Sequence, residues 1–298
     1  MCDFSKYGIP SAEWLRVEAT LPVVRDQSLD DWKTITNAGR EVMARNAMES
    51  LSDKVQVHDY SIPTHDGYML EVRSYRPTSI ETNEVLPIYV HFHGGGFLFG
   101  TLSSEDASCS RIAINVGVVV VNVNYRHTPE YTYPTAWNDS EDALVWIWNN
   151  SILFNGDRDR LVIGGISAGA WLTAALAQTI SRSGLNVQPP LRVLGQVLMI
   201  PCLVFTACYE SQIRQIKDPS VSSYVQCAEA PILNSRRKKL FNDLLKVENP
   251  SAEDKRLNPG NVTPEEAREL PPTTLGIAGY DPLRDEGILY GKLLAENG

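Results

Sequence analysis

A serine set between two glycines, Gly165-Ile166-Ser167-Ala168-Gly169, follows the apolar run Leu161-Val162-Ile163-Gly164 and precedes a stretch of strong helix formers. A strand that turns sharply into a helix lifts a serine hydroxyl out of the sheet, and the residues two positions to either side must then be small. Such a serine can act as a nucleophile. At a helix N-terminus, backbone N–H groups and the helix dipole favour the negative charge that its attack develops. The pattern alone is weak, and its strand-turn-helix setting gives it weight. A second segment, His91-Phe92-His93-Gly94-Gly95-Gly96-Phe97, offers a partner. Three consecutive glycines let the backbone approach a ligand and aim N–H groups at one point, which an oxyanion hole requires. An isolated glycine triplet is a flexible loop. Placed at the end of one parallel strand, with the serine at the end of another, it converges with that serine at the carboxyl edge of one sheet.

The elements that must position these groups follow from periodicity. Residues 11 to 50 read as largely helical, with Ser28 as an N-cap and Trp32, Ile35, Ala38, Val42 and Met43 on one stripe that should cover something. Lys54 to Ile62 and Tyr68 to Tyr75 read as strands joined through the turn Thr64-His65-Asp66-Gly67. From Leu86, buried strands alternate with helices: Leu86 to Phe92, Glu105 to Val116, Val118 to Tyr125, Ala136 to Asn149, Leu161 to Gly164, Ala168 to Ile180 and Leu191 to Ile200. This alternation predicts an α/β fold, a mostly parallel sheet with helices on both faces. Residues 201 to 270 carry no buried-strand signal and read as an insertion above the sheet, before a last strand at Thr273 to Ala278.

Composition narrows the class of function. The chain has 298 residues, 43% of them hydrophobic, enough for one large domain with a sizeable core. A formal charge of −9 argues against nucleic acid or an anionic membrane as partner. The basic cluster Arg236-Arg237-Lys238-Lys239, backed by Leu240, Phe241, Leu244 and Leu245, reads as a solvated helix face. The five cysteines form no C-x-x-C pair and read as reduced structural thiols. No apolar run is long enough to span a bilayer and Met1-Cys2-Asp3-Phe4-Ser5-Lys6 has no signal-peptide character, so the expected location is the cytoplasm.

Four segments occur in the order His93-Gly94-Gly95-Gly96, Tyr125-Arg126-His127-Thr128-Pro129-Glu130, Gly165-Ile166-Ser167-Ala168-Gly169 and Asp281-Pro282-Leu283-Arg284-Asp285-Glu286. In these motifs, over nearly its whole length, the chain resembles the hormone-sensitive-lipase family of α/β hydrolases. The resemblance implies an α/β-hydrolase core at 51–200 and 271–298, with 1–50 and 201–270 forming a cap over an acyl pocket. Carried over by residue, Ser167 is the nucleophile, Asp281 orients a catalytic histidine, and Gly94, Gly95 and the N–H of Ala168 form the oxyanion hole. No metal or organic cofactor is implied, and the partner is a small ester, with a homodimer an open expectation. Ile166 stands where many members carry aspartate, and His127 and Thr128 where many carry leucine and alanine, so the pocket is altered. Asp281 lies just past the last predicted strand, on the edge where Ser167 emerges, while Asp285 is a competing carboxylate. Trp14, Trp32, Phe205 and Tyr209 are the expected shapers of the pocket.

A serine hydroxyl needs a base, and in this fold the histidine follows the acid in the chain. All five histidines, His58, His65, His91, His93 and His127, precede Ser167. The last of them, His127, is the only one expected near the carboxyl edge, whereas His93 should brace its own loop. The expectation is a carboxylesterase-type serine hydrolase shortened before its base and weakly active as it stands. The alternatives are a small-molecule-binding protein on the same scaffold, as plant gibberellin receptors are, or a dehydratase that uses the oxyanion hole for elimination.

Overall fold

Alternation along Val118-Val119-Val120-Val121-Asn122-Val123 builds a strand buried on both faces, with Val119, Val121 and Val123 in one apolar cluster and Val118 and Val120 in another. A computed structural model describes residues 1–21, 28–182, 184–185 and 187–298. Its strands are β1 (Val55–Pro63), β2 (Met69–Pro77), β3 (Leu86–Phe92), β4 (Val119–Asn124), β5 (Gly156–Ile166), β6 (Gly195–Met199) and β7 (Thr273–Gly276). Its helices are α1 (Ala12–Glu18), α2 (Leu29–Met48), α3 (Asp106–Val116), α4 (Thr135–Asn149), α5 (Ala168–Arg182), α6 (Glu210–Ile213), α7 (Ser223–Gln226), α8 (Ser235–Leu244), α9 (Pro264–Ala267) and α10 (Arg284–Asn297).

The seven strands form one sheet in the order β1-β2-β4-β3-β5-β6-β7. The pairs β1–β2 and β2–β4 are antiparallel, and the remaining four pairs are parallel. The hairpin closes as its turn residues require: Gly67 takes φ +83°, and the Thr64 N–H donates to the Tyr68 carbonyl at 2.9 Å. α3 packs on β2 and β4 from the face of the smaller cluster, with Cys109 and Ala113 buried there. The larger cluster holds α4 and α5, where Trp137, Trp148 and Trp171 are almost wholly enclosed. Burying a large apolar side chain contributes about 1.5 to 3 kcal/mol, so this layer fixes the sheet edge on which the serine and glycine motifs stand.

Two expectations about surfaces are overturned. α2 does begin at Ser28, whose hydroxyl accepts from the Asp31 N–H at 3.1 Å. Most of its apolar stripe, however, faces outward: Ile35 is 60% and Met43 74% exposed, and only Trp32 turns in against Phe99 and Phe241. The docking face joins Ala44 and Met48 to polar side chains that meet the glycine loop and its neighbours. Asn37 accepts from the Gly100 N–H, Glu41 from the Thr101 hydroxyl, and Arg40 donates to the Gly94 carbonyl. The part of the expected 11–50 helix at 22–27 lies outside the described residues. In α8 the basic cluster is not a solvated face either. Lys239 is exposed, but Lys238 is only 7% exposed and Arg237 lines a cavity.

No described helix is long and apolar enough to cross a membrane. All five cysteines are unbridged.

Candidate active site

Ser167 sits between the end of β5 and the start of α5 with φ +54°, a left-handed conformation that a non-glycine residue holds only under surrounding constraint. The constraint is visible. The Ser167 N–H donates to the Met199 carbonyl at 2.8 Å, and the Ser167 carbonyl accepts from the Trp171 N–H at 3.0 Å. A Cβ at Gly165 would stand 2.4 Å from the Gly169 carbonyl, and one at Gly169 would stand 2.0 Å from the Phe92 carbonyl. Close packing of strand against helix therefore demands both glycines, and it aims the intervening hydroxyl into open space. Among the described residues, the Ser167 hydroxyl has no hydrogen-bond partner.

The glycine loop leaves β3 beside it. Gly95 (φ +142°) and Gly96 (φ +62°) take conformations open to glycine, and Leu98 and Phe99 both donate to the Gly95 carbonyl, at 3.1 and 3.0 Å. Among the described residues, the N–H groups of Gly94, Gly95 and Ala168 have no acceptor; Ala168 belongs to the first turn of α5, whose N–H groups find none within the helix. Three unsatisfied donors at the carboxyl edge are a ready receptor for an oxyanion.

His93 braces this loop from behind. Its Nδ1 lies 3.1 Å from the Gly94 carbonyl, its ring stacks on Tyr125 with centroids 4.4 Å apart, and Tyr125 donates its hydroxyl to the His93 carbonyl at 2.7 Å. Burial pulls His93 down to about 4, so near neutrality the ring is uncharged and its Nδ1–H donates to Gly94. Nε2 is then left as the acceptor for His127 Nε2–H at 3.3 Å. From above, Arg40 holds the same Gly94 carbonyl at 3.0 Å and reaches Glu105 at 2.6 Å. Burial would raise Glu105, but the His91 ring at 3.4 Å and the Arg40 guanidinium outweigh it and hold the carboxyl down to about 2.

Asp281 lies between β7 and α10, where its carboxylate accepts from the Leu283 N–H at 2.8 Å. Burial pushes its pKa up. Asp285, the competitor, is spoken for: Arg284 Nε holds one oxygen at 2.8 Å and the Ser223 N–H the other at 2.7 Å. It lies outside the serine cavity.

One cavity of about 980 Å³ brings the motifs together, lined by Ser167, Gly94, Gly95, Gly96 and Asp281, with Trp14, Trp32 and Phe241 as apolar walls. Ile166 lines it where many relatives by resemblance would place a carboxylate. Behind Ser167 a second chamber of about 40 Å³ lies between α5 and α8. Of the expected pocket-shaping residues, Trp14 and Trp32 line the cavity, but Phe205 and Tyr209 are packed beneath the floor and line neither space. No histidine lines either space. His127 instead borders a separate depression with Lys33, Tyr68 and Glu130, while His58 and His65 belong to the hairpin, the latter paired with Asp142 at 2.7 Å.

Sequence reasoning missed Arg40, Arg237, Glu105 and Lys238 at these walls. Only Lys238 carried a signal, since it shares the i, i+3, i+4, i+7 stripe with Phe241, Asn242 and Leu245.

Comparison with known proteins agrees with this architecture. Residues 89–298 match a family model described as alpha/beta hydrolase fold. The chain is 34% identical over 230 residues to esterase LipI of Mycobacterium tuberculosis, covering 76% of this chain and 65% of that protein. It is 30% identical over 244 residues to an ethyl acetate hydrolase of Pseudomonas putida, covering 81% of this chain and 70% of that one. Among solved structures it superposes on a vibralactone cyclase with TM-score 0.82 at 29% identity, covering 97% of this chain and 83% of the other. A Pyrobaculum calidifontis esterase gives TM-score 0.78 at 29% identity, with 97% and 86% covered. The chain spans about two thirds of the length of the curated relatives it matches best, 65% for LipI. With a seven-stranded, mostly parallel sheet, an elbow serine and a family match over most of its length, this chain belongs to the α/β-hydrolase fold family, in its hormone-sensitive-lipase-like branch.

Proposed function

We propose that this protein is a serine carboxyl-ester hydrolase acting on small apolar esters, with residues 1–50 and 201–270 forming a cap over the cavity. The observation that carries the reading is the convergence of the Ser167 hydroxyl, the acceptor-free N–H groups of Gly94 and Gly95 and the Asp281 carboxyl on one apolar-walled cavity, with the Ala168 N–H at the adjoining chamber. The relatives named for ester hydrolysis support the same chemistry.

In this reading the Ser167 oxygen attacks the ester carbonyl and loses its proton to a base. The N–H groups of Gly94, Gly95 and Ala168 hold the tetrahedral oxyanion. Collapse expels the alcohol, which takes up a proton, and leaves an acyl ester on Ser167 that water then cleaves. Each oxyanion donor contributes about 2.7 to 4 kcal/mol to the barrier reduction. In this reading Asp281 orients a base; none of the five histidines lines the cavity, so the reaction is slow unless a base is supplied.

The experiment is release of 4-nitrophenolate from 4-nitrophenyl butyrate with and without added imidazole, a base small enough to enter the cavity. Measured above the release that imidazole causes in the absence of the chain, the rate is expected to be low, to rise with imidazole concentration, and to vanish in Ser167→Ala. Turnover that survives Ser167→Ala would remove the assignment.

A further inference from the structure

Among the described residues, Lys238 is the only buried lysine, 7% exposed, and it lines the small chamber behind Ser167. The helix dictates this placement: Lys238, Phe241 and Asn242 share one face of α8 with Leu245 at its C-cap, and all four border the chamber. Its ammonium stands 4.8 Å from the ring of Tyr209 and 4.7 Å from that of Tyr224, two rings stacked 4.1 Å apart. The rings hold the cation by their faces and take no N–H from it. Among the described residues, Lys238 Nζ has neither a hydrogen bond nor an ion pair.

The polar side chains nearest it bond elsewhere and do not reach it. Glu286 accepts from the Leu203 N–H at 2.6 Å and from the Tyr224 hydroxyl at 3.2 Å. Asn242 accepts from the Thr206 N–H and donates to the Lys238 carbonyl. Of the rest of the chamber wall, Ser167 carries a hydroxyl and Cys202 a thiol, while the side chains of Phe97, Trp171, Leu245 and Leu283 offer no acceptor. An ammonium carries three donors and no acceptor, and leaving them unmet in a buried site is costly. A ligand that brings an oxygen into the chamber would meet them.

We infer that the chamber is an acyl subsite selecting a short acyl chain that carries an acceptor oxygen, which takes a hydrogen bond from Lys238. This rests on the ester-hydrolase reading for its direction, with the ester carbonyl at Ser167 and the acyl tail inside. At about 40 Å³ the chamber admits only a few atoms, so the tail is short. Lys238 is here a specificity determinant. It does not touch the reacting atoms.

Binding to the Ser167→Ala chain tests this without turnover. Ethyl 3-methoxypropanoate and ethyl pentanoate have the same number of heavy atoms and differ by an ether oxygen in place of a methylene. Calorimetric Kd values should favour the methoxy ester on the chain with Lys238, and the preference should fall about tenfold in Lys238→Met, the loss of one charge-assisted hydrogen bond. Lys238→Gln, which keeps N–H donors, should retain part of it. Equal or tighter binding of the pentanoate with Lys238 in place overturns the inference even if a variant fails to fold, as does a preference unmoved by Lys238→Met or no binding of either ester. Failure of the hydrolase reading has a different signature: nitrophenolate release that does not depend on Ser167, whatever the binding ratio.

Discussion

Gly169 shows how little freedom the elbow leaves a single residue. An added methyl would lie 2.0 Å from the Phe92 carbonyl and 2.5 Å from that of His93, both backbone atoms that cannot swing aside. Gly169→Ala is expected to destabilise the fold by 1 to 3 kcal/mol, about the cost of an overpacked core, seen as a lowered urea midpoint in chemical unfolding. Glu286 makes a second prediction at this scale. Burial raises its carboxyl to about 7, above the ordinary value of 4.5, so between those two pH values the folded chain binds more protons than the unfolded one. The stability this confers is complete below about pH 4.5 and is lost as pH rises through about 7. Urea unfolding across that range should show falling stability, and Glu286→Gln should flatten the fall. A slope unchanged in Glu286→Gln would show that the carboxyl is not the source. Ser167, Gly94 and Gly95 could be proposed from the sequence because their motifs rest on residue type at fixed local spacing, and Asp281 because it follows the last predicted strand in a segment that resembles the family's motif. Arg40 and Lys238 were not, since what gives each a role is a partner or a void more than 30 residues away in the chain.

At the scale of elements, α2 and α8 frame the cavity for reasons periodicity could not show. α2 was readable as a helix from Ser28 onward, yet its docking face was misassigned, because a helix that meets the carbonyls and N–H groups of a glycine loop needs polar contacts where a hydrophobic stripe would be sought. Arg40→Met should keep the stem that packs along the helix while releasing the Gly94 carbonyl and Glu105. The expected result is a several-fold lower rate of Ser167 acylation with near-unchanged Km, because the oxyanion donors lose alignment while the cavity walls stay in place. A rise in Km with an unchanged rate would instead assign Arg40 to ground-state binding. The strands were more legible than the helices' surfaces. β3 was read to the residue, whereas β5 runs five residues further back than its apolar stretch: Gly156 and Asp157 pair with Leu86 and Pro87, and the register then shifts past Arg158-Asp159-Arg160 before Leu161 pairs with Ile88.

For the whole molecule, the alternation of buried strands and helices was enough to give the α/β class, and the hairpin turn gave the antiparallel end. Strand order was not legible, since β4 lies between β2 and β3 and no local pattern encodes that crossing. β7 is the outer strand of the described sheet and pairs only with β6.

The central claim is that Ser167 is the nucleophile of an ester-cleaving site. Intact-mass and peptide mass spectrometry of the chain after brief exposure to 4-nitrophenyl butyrate and imidazole tests it most directly. A single butyryl group on the peptide containing Ser167, absent from the Ser167→Ala chain, is the result expected. An unmodified Ser167 beside nitrophenolate released beyond what imidazole and the ester give without the chain, or a butyryl group carried by another residue such as Lys238, would contradict it.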